Sequence, residues 1–208
     1  MAPSIGSRNS FVRMEYPALD MTPSAPIFIE TETVILRFVG EADLPAVYNI
    51  FSHPEVMRYW SYPPWTDQAQ AEQWLARVQE GYRNRTSFQL GIERRADHLL
   101  VGTCTLFQFE VVSRRAEIGY ALGRPYWGSG YMHMALKALL HYAFETLDLN
   151  RLEADIDPRN GASAKTLERL GFQKEGHLRE RWIVNDEVSD TALYGLLRRD
   201  WQERFGTG

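Results

Sequence analysis

Two glycines bracket a serine in Pro125-Tyr126-Trp127-Gly128-Ser129-Gly130-Tyr131, between a strand-like apolar run and a helix-like one. A turn of this kind can aim several backbone N–H groups at one point, and the start of a helix adds positive potential there. That combination suits a pyrophosphate. Glycine accepts unusual backbone angles and lets a ligand come close. An ordinary loop has the same composition, so the rest of the chain must decide. Two better-known phosphate motifs are excluded by the neighbours. Gly130 is followed by Tyr131 and Met132 rather than by Lys-Ser or Lys-Thr, and His133 stands where a dinucleotide fingerprint needs a third small residue. The repeated strand-helix pattern of a dinucleotide fold is also missing. Arg114, Arg115 and Arg124 precede the turn and are compatible either with an anionic ligand or with a solvated surface. Cys104, the single cysteine, lies in a strand pattern from Val101 to Leu106 and reads as a packed thiol rather than a nucleophile. His133 and His141 flank an apolar helical stripe and read as exposed or packed. Without a His or acidic cluster at ligand spacing, no metal is expected.

Composition bounds the classes. The chain has 208 residues, 44% of them hydrophobic, which suits one domain with an ample core. A net charge of −4 argues against a nucleic-acid partner. One cysteine excludes an intramolecular disulfide. The sequence shows neither a run of about 20 apolar residues nor a basic start followed by an apolar core, so a cytoplasmic protein without a membrane partner is expected.

The elements that must position the turn are set by periodicity. Residues 1–26, rich in Pro, Ser, Ala and Met, predict a tail or arm, and 27–208 a domain. Ile27 to Phe38 predicts a strand and Glu41 to Phe51 a short helix. The segment His53 to Trp65, dense in aromatics and prolines, predicts a loop. Thr66-Asp67 caps a helix to about Tyr82, with Ala71, Trp74, Leu75 and Val78 on one stripe. Strands are expected at Ser87 to Glu93, Leu99 to Val111 and Arg115 to Leu122. The glycine turn then opens a helix to about Leu147. A strand at Arg151 to Ile156 precedes a helix from Asn160 to Gly171, a natural helix stop. Strands at Gln173 to Leu178 plus Arg181 to Val184, and at Thr191 to Leu197, flank a hairpin turn at Asn185-Asp186-Glu187. The expected class is α/β: one central, mixed, mostly antiparallel sheet flanked by helices.

Three segments stand in a fixed order: Ala116-Glu117-Ile118-Gly119-Tyr120-Ala121-Leu122, then Trp127 to Tyr131, then Asn160-Gly161-Ala162-Ser163 with Leu167 to Phe172. Together they resemble the GNAT superfamily of N-acetyltransferases. The branch they are most similar to is the ribosomal-protein type (RimJ/RimL-like), which Thr33 to Arg37 and Glu175 to Arg179 also resemble. The resemblance spans about residues 30–200 and implies a single GNAT-like domain that uses acetyl-CoA. It implies that amides of Trp127, Gly128, Ser129, Gly130 and Tyr131 hold the pyrophosphate. Pro125 departs from the family's Gln or Arg and removes one side-chain contact. It further implies that backbone groups near Tyr120, Ala121 and Leu122 pair with pantetheine as an added strand would.

Acetylation of nitrogen needs a neutral amine, and a carboxylate can accept the proton of the ammonium. The resemblance points to Glu117; a glutamate paired with Arg115 is the competing reading. Leu122 is the family-suggested N–H donor to the oxyanion. Leu167 stands where many members have a tyrosine acid, so Ser163 becomes the hydroxyl candidate near the sulfur, and Asn160 a cofactor contact. Both also fit a helix start, as N-cap and first-turn residue. Trp60, Tyr62 and Trp65 fall in the segment that walls the acceptor site in this family. They either clamp the acceptor, since aromatic faces attract cations, or form a lid packed on the sheet. The expected reaction is direct transfer of acetyl to a primary amine, on a protein N-terminus or a small molecule, in a ternary complex. A larger donor such as succinyl-CoA and a non-catalytic acyl-CoA sensor remain alternatives. A homodimer is compatible with the family.

Overall fold

Eight strands form one sheet in the order β1-β2-β3-β4-β5-β6-β8-β7 in the computed structural model, which describes residues 27–206. The strands are β1 (Phe28–Glu30), β2 (Val34–Phe38), β3 (Ser87–Arg94), β4 (Leu99–Glu110), β5 (Arg115–Leu122), β6 (Arg151–Ile156), β7 (Gln173–Val184) and β8 (Glu187–Leu197). Every neighbouring pair is antiparallel except β5 and β6. A parallel pair needs a long crossover, and helix α4 (Tyr131–His141), extended by a π turn over Tyr142–Thr146, supplies it. The mixed, mostly antiparallel sheet is the one expected. The tail expected for residues 1–26 lies outside the described residues.

The two sheet faces carry separate cores. On one, Leu136, Leu139, Leu140 and Phe144 of α4 and its π turn pack with Leu90, Ile92, Leu106 and Leu152 of the sheet. Leu167 of α5 (Gly161–Arg169) and Trp201 of α6 (Arg198–Phe205) join them. On the other, α1 (Leu44–Phe51), α2 (Pro54–Met57) and α3 (Ala69–Asn84) bury Phe51, Met57, Trp74 and Leu75 with Leu100 and Ala121. Among the described residues no helix is long and apolar enough to cross a membrane.

Three local outcomes differ from the sequence reading. The strand expected over 27–38 is two strands, because Thr31 Oγ1 accepts from Val34 N at 3.0 Å and donates to Val34 O at 2.8 Å, closing a turn. The aromatic loop contains α2, capped by His53 Nδ1 accepting from Glu55 N. Helix α6 was not expected: Trp201 is its only buried residue, so it has no apolar stripe to read. The final hairpin turns at Asn185 and Asp186, both at positive φ (48° and 64°), the backbone of a tight two-residue turn.

Two bulges aim side chains toward one end of the sheet. In β4, Gln108 and Phe109 fall between the pairs Phe107↔Glu117 and Glu110↔Arg115, with Gln108 at φ 51°. In β7 the register shifts between Leu178 and Trp182, where Glu180 is at φ 51° and its N–H donates to Asp190 Oδ1 at 2.8 Å. Extra residues in one strand sharpen its twist and redirect the side chains beyond them. Gln108 comes to line the cavity at that end, as do Arg181 and Trp182.

Candidate active site

The sheet opens where its parallel pair gives out. Strands β5 and β6 pair only at Arg115↔Arg151, Ala116↔Leu152 and Glu117↔Glu153. Beyond Glu117, β5 continues beside β4 alone and β6 beside β8 alone. The Gly123 N–H donates to Val101 O at 2.8 Å. Antiparallel partners alternate between bonded and non-bonded pairs, so the N–H and C=O of Tyr120 and Leu122 point away from β4 into the opening. The Leu122 carbonyl shows this directly: it accepts from Trp127 Nε1 at 2.8 Å.

The glycine turn lies at the same end. Gly128 and Gly130 adopt φ 76° and 83°, the left-handed region, and a Cβ at either would meet nothing within 4 Å. The need is conformational rather than steric. Among the described residues no carbonyl accepts from the N–H groups of Gly128, Ser129 and Gly130, and Tyr131 begins α4. The Ser129 hydroxyl donates to Tyr126 O and so braces the turn. An open row of amides at a helix start fits a pyrophosphate, and the open β5 edge fits an amide-bearing arm; both are parts of acetyl-CoA. The three arginines have partners: Arg114 with Asp148, Arg115 with Glu153, and Arg124 with Glu55 while lying 4.7 Å over the Trp127 ring.

A cavity of about 290 Å³ fills the mouth of the opening. Glu117, Tyr120, Asn160, Ser163 and Trp60 line it, so the structure brings together five residues singled out from sequence. Glu117 is not paired with Arg115, which bonds Glu153 Oε2 at 2.7 Å instead. Burial raises the Glu117 carboxyl above the usual range, and the negative charges of Asp155 and Glu153 add to it. Ser163 Oγ lies 2.6 Å from Tyr120 Oη. Burial pushes the Tyr120 phenol up to about 12, against the smaller opposing effect of that hydrogen bond. Asn160 Oδ1 accepts from Ser163 N at 3.1 Å, so the side chain is the N-cap of α5 while also facing the cavity. Leu167 is fully buried.

Trp65 departs from the expected acceptor wall. It is 7% exposed and packs on Phe51, with centroids 4.8 Å apart, and on Trp74, so it serves the helical core. Trp60 does both jobs, packing edge-on against Phe51 at 5.4 Å while lining the cavity. Tyr62 lines a second, adjoining cavity of about 220 Å³. Sequence reasoning missed Asp155, Arg181 and Trp182, and took Tyr59 only as the start of the aromatic loop at the acceptor wall. Trp182 Nε1 donates to Thr191 Oγ1 at 3.0 Å, which donates to Asp155 Oδ1 at 2.9 Å, so three strands fix one carboxylate. Only the alternation along β6 offered a signal for Asp155.

A splayed sheet with helices on both faces and an amide-rich turn at its open end defines the class of fold. Residues 33–173 match the family described as Acetyltransferase (GNAT) domain. The chain is 37% identical over 175 residues to the "Uncharacterized N-acetyltransferase p20" of Bacillus licheniformis, covering 82% of this chain and 96% of that one. It is 25% identical over 180 residues to the [ribosomal protein uS5]-alanine N-acetyltransferase of Escherichia coli K12, covering 83% and 92%. The crystal structure of spermidine N-acetyltransferase from Vibrio cholerae, solved with CoA and spermine, superposes with a TM-score of 0.73 over 82% of this chain and 99% of that one. At 21% identity, that likeness speaks for the fold alone. The chain belongs to the GNAT acetyltransferase family, and it is an acetyl-CoA-dependent acyltransferase.

Proposed function

We propose that the enzyme transfers acetyl directly to a primary amine in a ternary complex, with Glu117 as the base. The observation that carries this reading is Glu117 itself: a half-buried carboxylate without an ion pair among the described residues, lining the cavity at the point where β5 and β6 part. Burial and its acidic neighbours raise its affinity for a proton, which suits a group that must take one from an ammonium near neutral pH. Acetyl-CoA supplies the thioester carbonyl when bound. The amides of Gly128 to Tyr131 and the open edge at Tyr120 and Leu122 hold it, and Asn160 closes the far side; the Trp127 N–H, which donates to Arg124 O, and the Ala121 backbone, which pairs with β4, are spent elsewhere. The Leu122 N–H faces the opening and stabilises negative charge on the carbonyl oxygen. Ser163 and Tyr120 offer a pair of hydroxyls, protonated at neutral pH, to the sulfur side. Cys104 supports direct transfer: it is fully buried in β4 and its thiol is pushed up to about 12 by burial, so it is no nucleophile. Two similar proteins are named for acceptors that carry amino groups, an alanine of protein uS5 and spermidine.

The test begins with calorimetric titration of acetyl-CoA, CoA and succinyl-CoA, followed by CoA release against a panel of amines. Glu117→Gln should bind acetyl-CoA as the parent does and lose about 10²-fold or more in turnover. Ser163→Ala should lose turnover as well. A sensor would bind acetyl-CoA and tolerate both changes. Among the described residues Arg181 is the one cation lining the cavity, and a preference for succinyl-CoA would assign it to a larger acyl group.

A further inference from the structure

The second cavity adjoins the first and shares Tyr59, Trp60, Asp157 and Ser189 with it. Each alone falls short of the roughly 300–1,000 Å³ of ordinary ligand sites, and together they fall inside that range. Their charges differ. The first presents Glu117 and Asp155 without a cationic partner among the described residues. In the second, both carboxylates are spent on Arg159, which bonds Asp157 through Nη2 at 2.6 Å and Glu187 through Nη1 at 2.5 Å. Burial tends to raise the Asp157 carboxyl, but Arg159 overrides it and holds the group below its usual range, so the pair stays ionised. What remains is Arg58, exposed, without a carboxylate partner among the described residues, its guanidinium 5.5 Å from the Tyr59 ring centroid. The Arg159 guanidinium lies 5.8 Å from the same ring. The walls between are Pro54, Met57, Pro63 and Pro64.

We infer that the second cavity is a subsite for the polypeptide segment next to the acceptor amine, and that Arg58 gives it a preference for an acidic side chain there. This rests on the acyl-transfer reading for the first cavity. The first cavity is net negative, its carboxylates outnumbering Arg181, whereas the second is balanced and leaves Arg58 as its one charged group without an ion-pair partner among the described residues. A polyamine carries a further ammonium every few carbons and would set one against Arg58. A peptide carries one ammonium at its end, then neutral amides, then whatever side chain the sequence supplies. Proline and aromatic walls suit such an extended segment, since they are stiff and lose little freedom on binding.

The experiment separates binding from turnover. The full chain, saturated with CoA, is titrated calorimetrically with an Ala-Glu-Glu peptide, an Ala-Lys-Lys peptide of equal length, and spermidine. The acidic peptide should bind about fivefold or more tightly than the basic one. Arg58→Glu, an exposed position whose melting temperature and acetyl-CoA affinity report on folding, should reverse that order. Equal affinity for the two peptides, tighter binding of spermidine than of either, or an order unchanged in Arg58→Glu would each overturn the subsite. Turnover of the same three compounds is read separately. Selective binding with no turnover of any amine would overturn the transfer reading and leave the subsite standing.

Discussion

Glu117 and Asp155 enclose one small volume, yet the structure sets them up differently. Glu117 has no hydrogen-bond partner among the described residues, whereas Asp155 is held through Thr191 by Trp182. With Glu117 as the proposed base, which must be deprotonated to act, the acid limb of kcat/KM should lie above the carboxylate range near pH 4. Asp155→Asn removes one of the negative charges that raise Glu117, the larger effect of burial remaining. The limb should then move to lower pH, read from a pH profile of kcat/KM with a neutral-pH control. An unmoved limb would mean that Asp155 does not act on the base. At this scale the sequence was legible where one short segment supplies more than one cavity-lining residue: Glu117 and Tyr120 on one strand, Asn160 and Ser163 on one helical turn. Asp155, Tyr59 and Trp182 come from three separate segments, and a single sequence says nothing about which of them meet in space. The Tyr120–Ser163 pair was invisible for the same reason: each member was legible, and their contact across the opening was not.

Elements show which aromatics hold the fold and which face a ligand. Trp65→Ala would leave a hole between Phe51 and Trp74 and should cost about 3–5 kcal/mol by denaturant unfolding. Trp60→Ala, at a half-buried ring that also lines both cavities, should cost less stability and raise the acceptor KM. The sequence grouped the two residues because it shows density and not direction; Trp65 N–H donates to Phe51 O at 2.9 Å, beside the helical core, while Trp60 N–H donates to Met57 O at 3.1 Å, just after α2. Gly128 permits a sharper test, since space around it is open and only its φ of 76° resists a side chain. Gly128→Ala should cost about 1 kcal/mol of strain and weaken acetyl-CoA binding, measured by calorimetry, with the acceptor KM little changed. Most strands and the two long helices were legible from period, although α3 starts from Gln68 rather than the expected Thr66-Asp67 and neither long helix has a side-chain bond at its N-cap residue. Helix α6 and the turn at Thr31 were not: one lacks an apolar stripe, and the other depends on a single hydroxyl.

Across the whole molecule, one buried ion cluster joins strand, strand and helix start. Arg37 of β2 donates to both oxygens of Asp43, each at 2.8 Å, and to Glu93 of β3. Burial tends to raise both carboxyls, but Arg37 overrides it and holds them below the usual range. Depressed carboxylates stabilise the fold above their unfolded values, near pH 4, and that contribution disappears as pH falls through the folded values. Asp43→Asn should therefore lower stability by about 2 kcal/mol at neutral pH and flatten the acid side of the stability profile, seen in urea melts from pH 7 to 3. A profile parallel to the parent's would show that the cluster is not the source of the acid dependence.

The short parallel joint has a mechanical consequence. Among the described residues, three residue pairs are all that stitch the five-stranded ribbon β1 to β5 to the three-stranded ribbon β6 to β8 within the sheet. A molecule lying in the gap along the β5 edge becomes a splint between the two ribbons, carrying load that the backbone ladder leaves off. Donor binding should then slow amide exchange in β6 and the far end of β5 together, and stiffen distant β7 and β8 with them. On the proposed reading, the compound the enzyme consumes would complete part of its architecture, and each release of product should return it to a looser form.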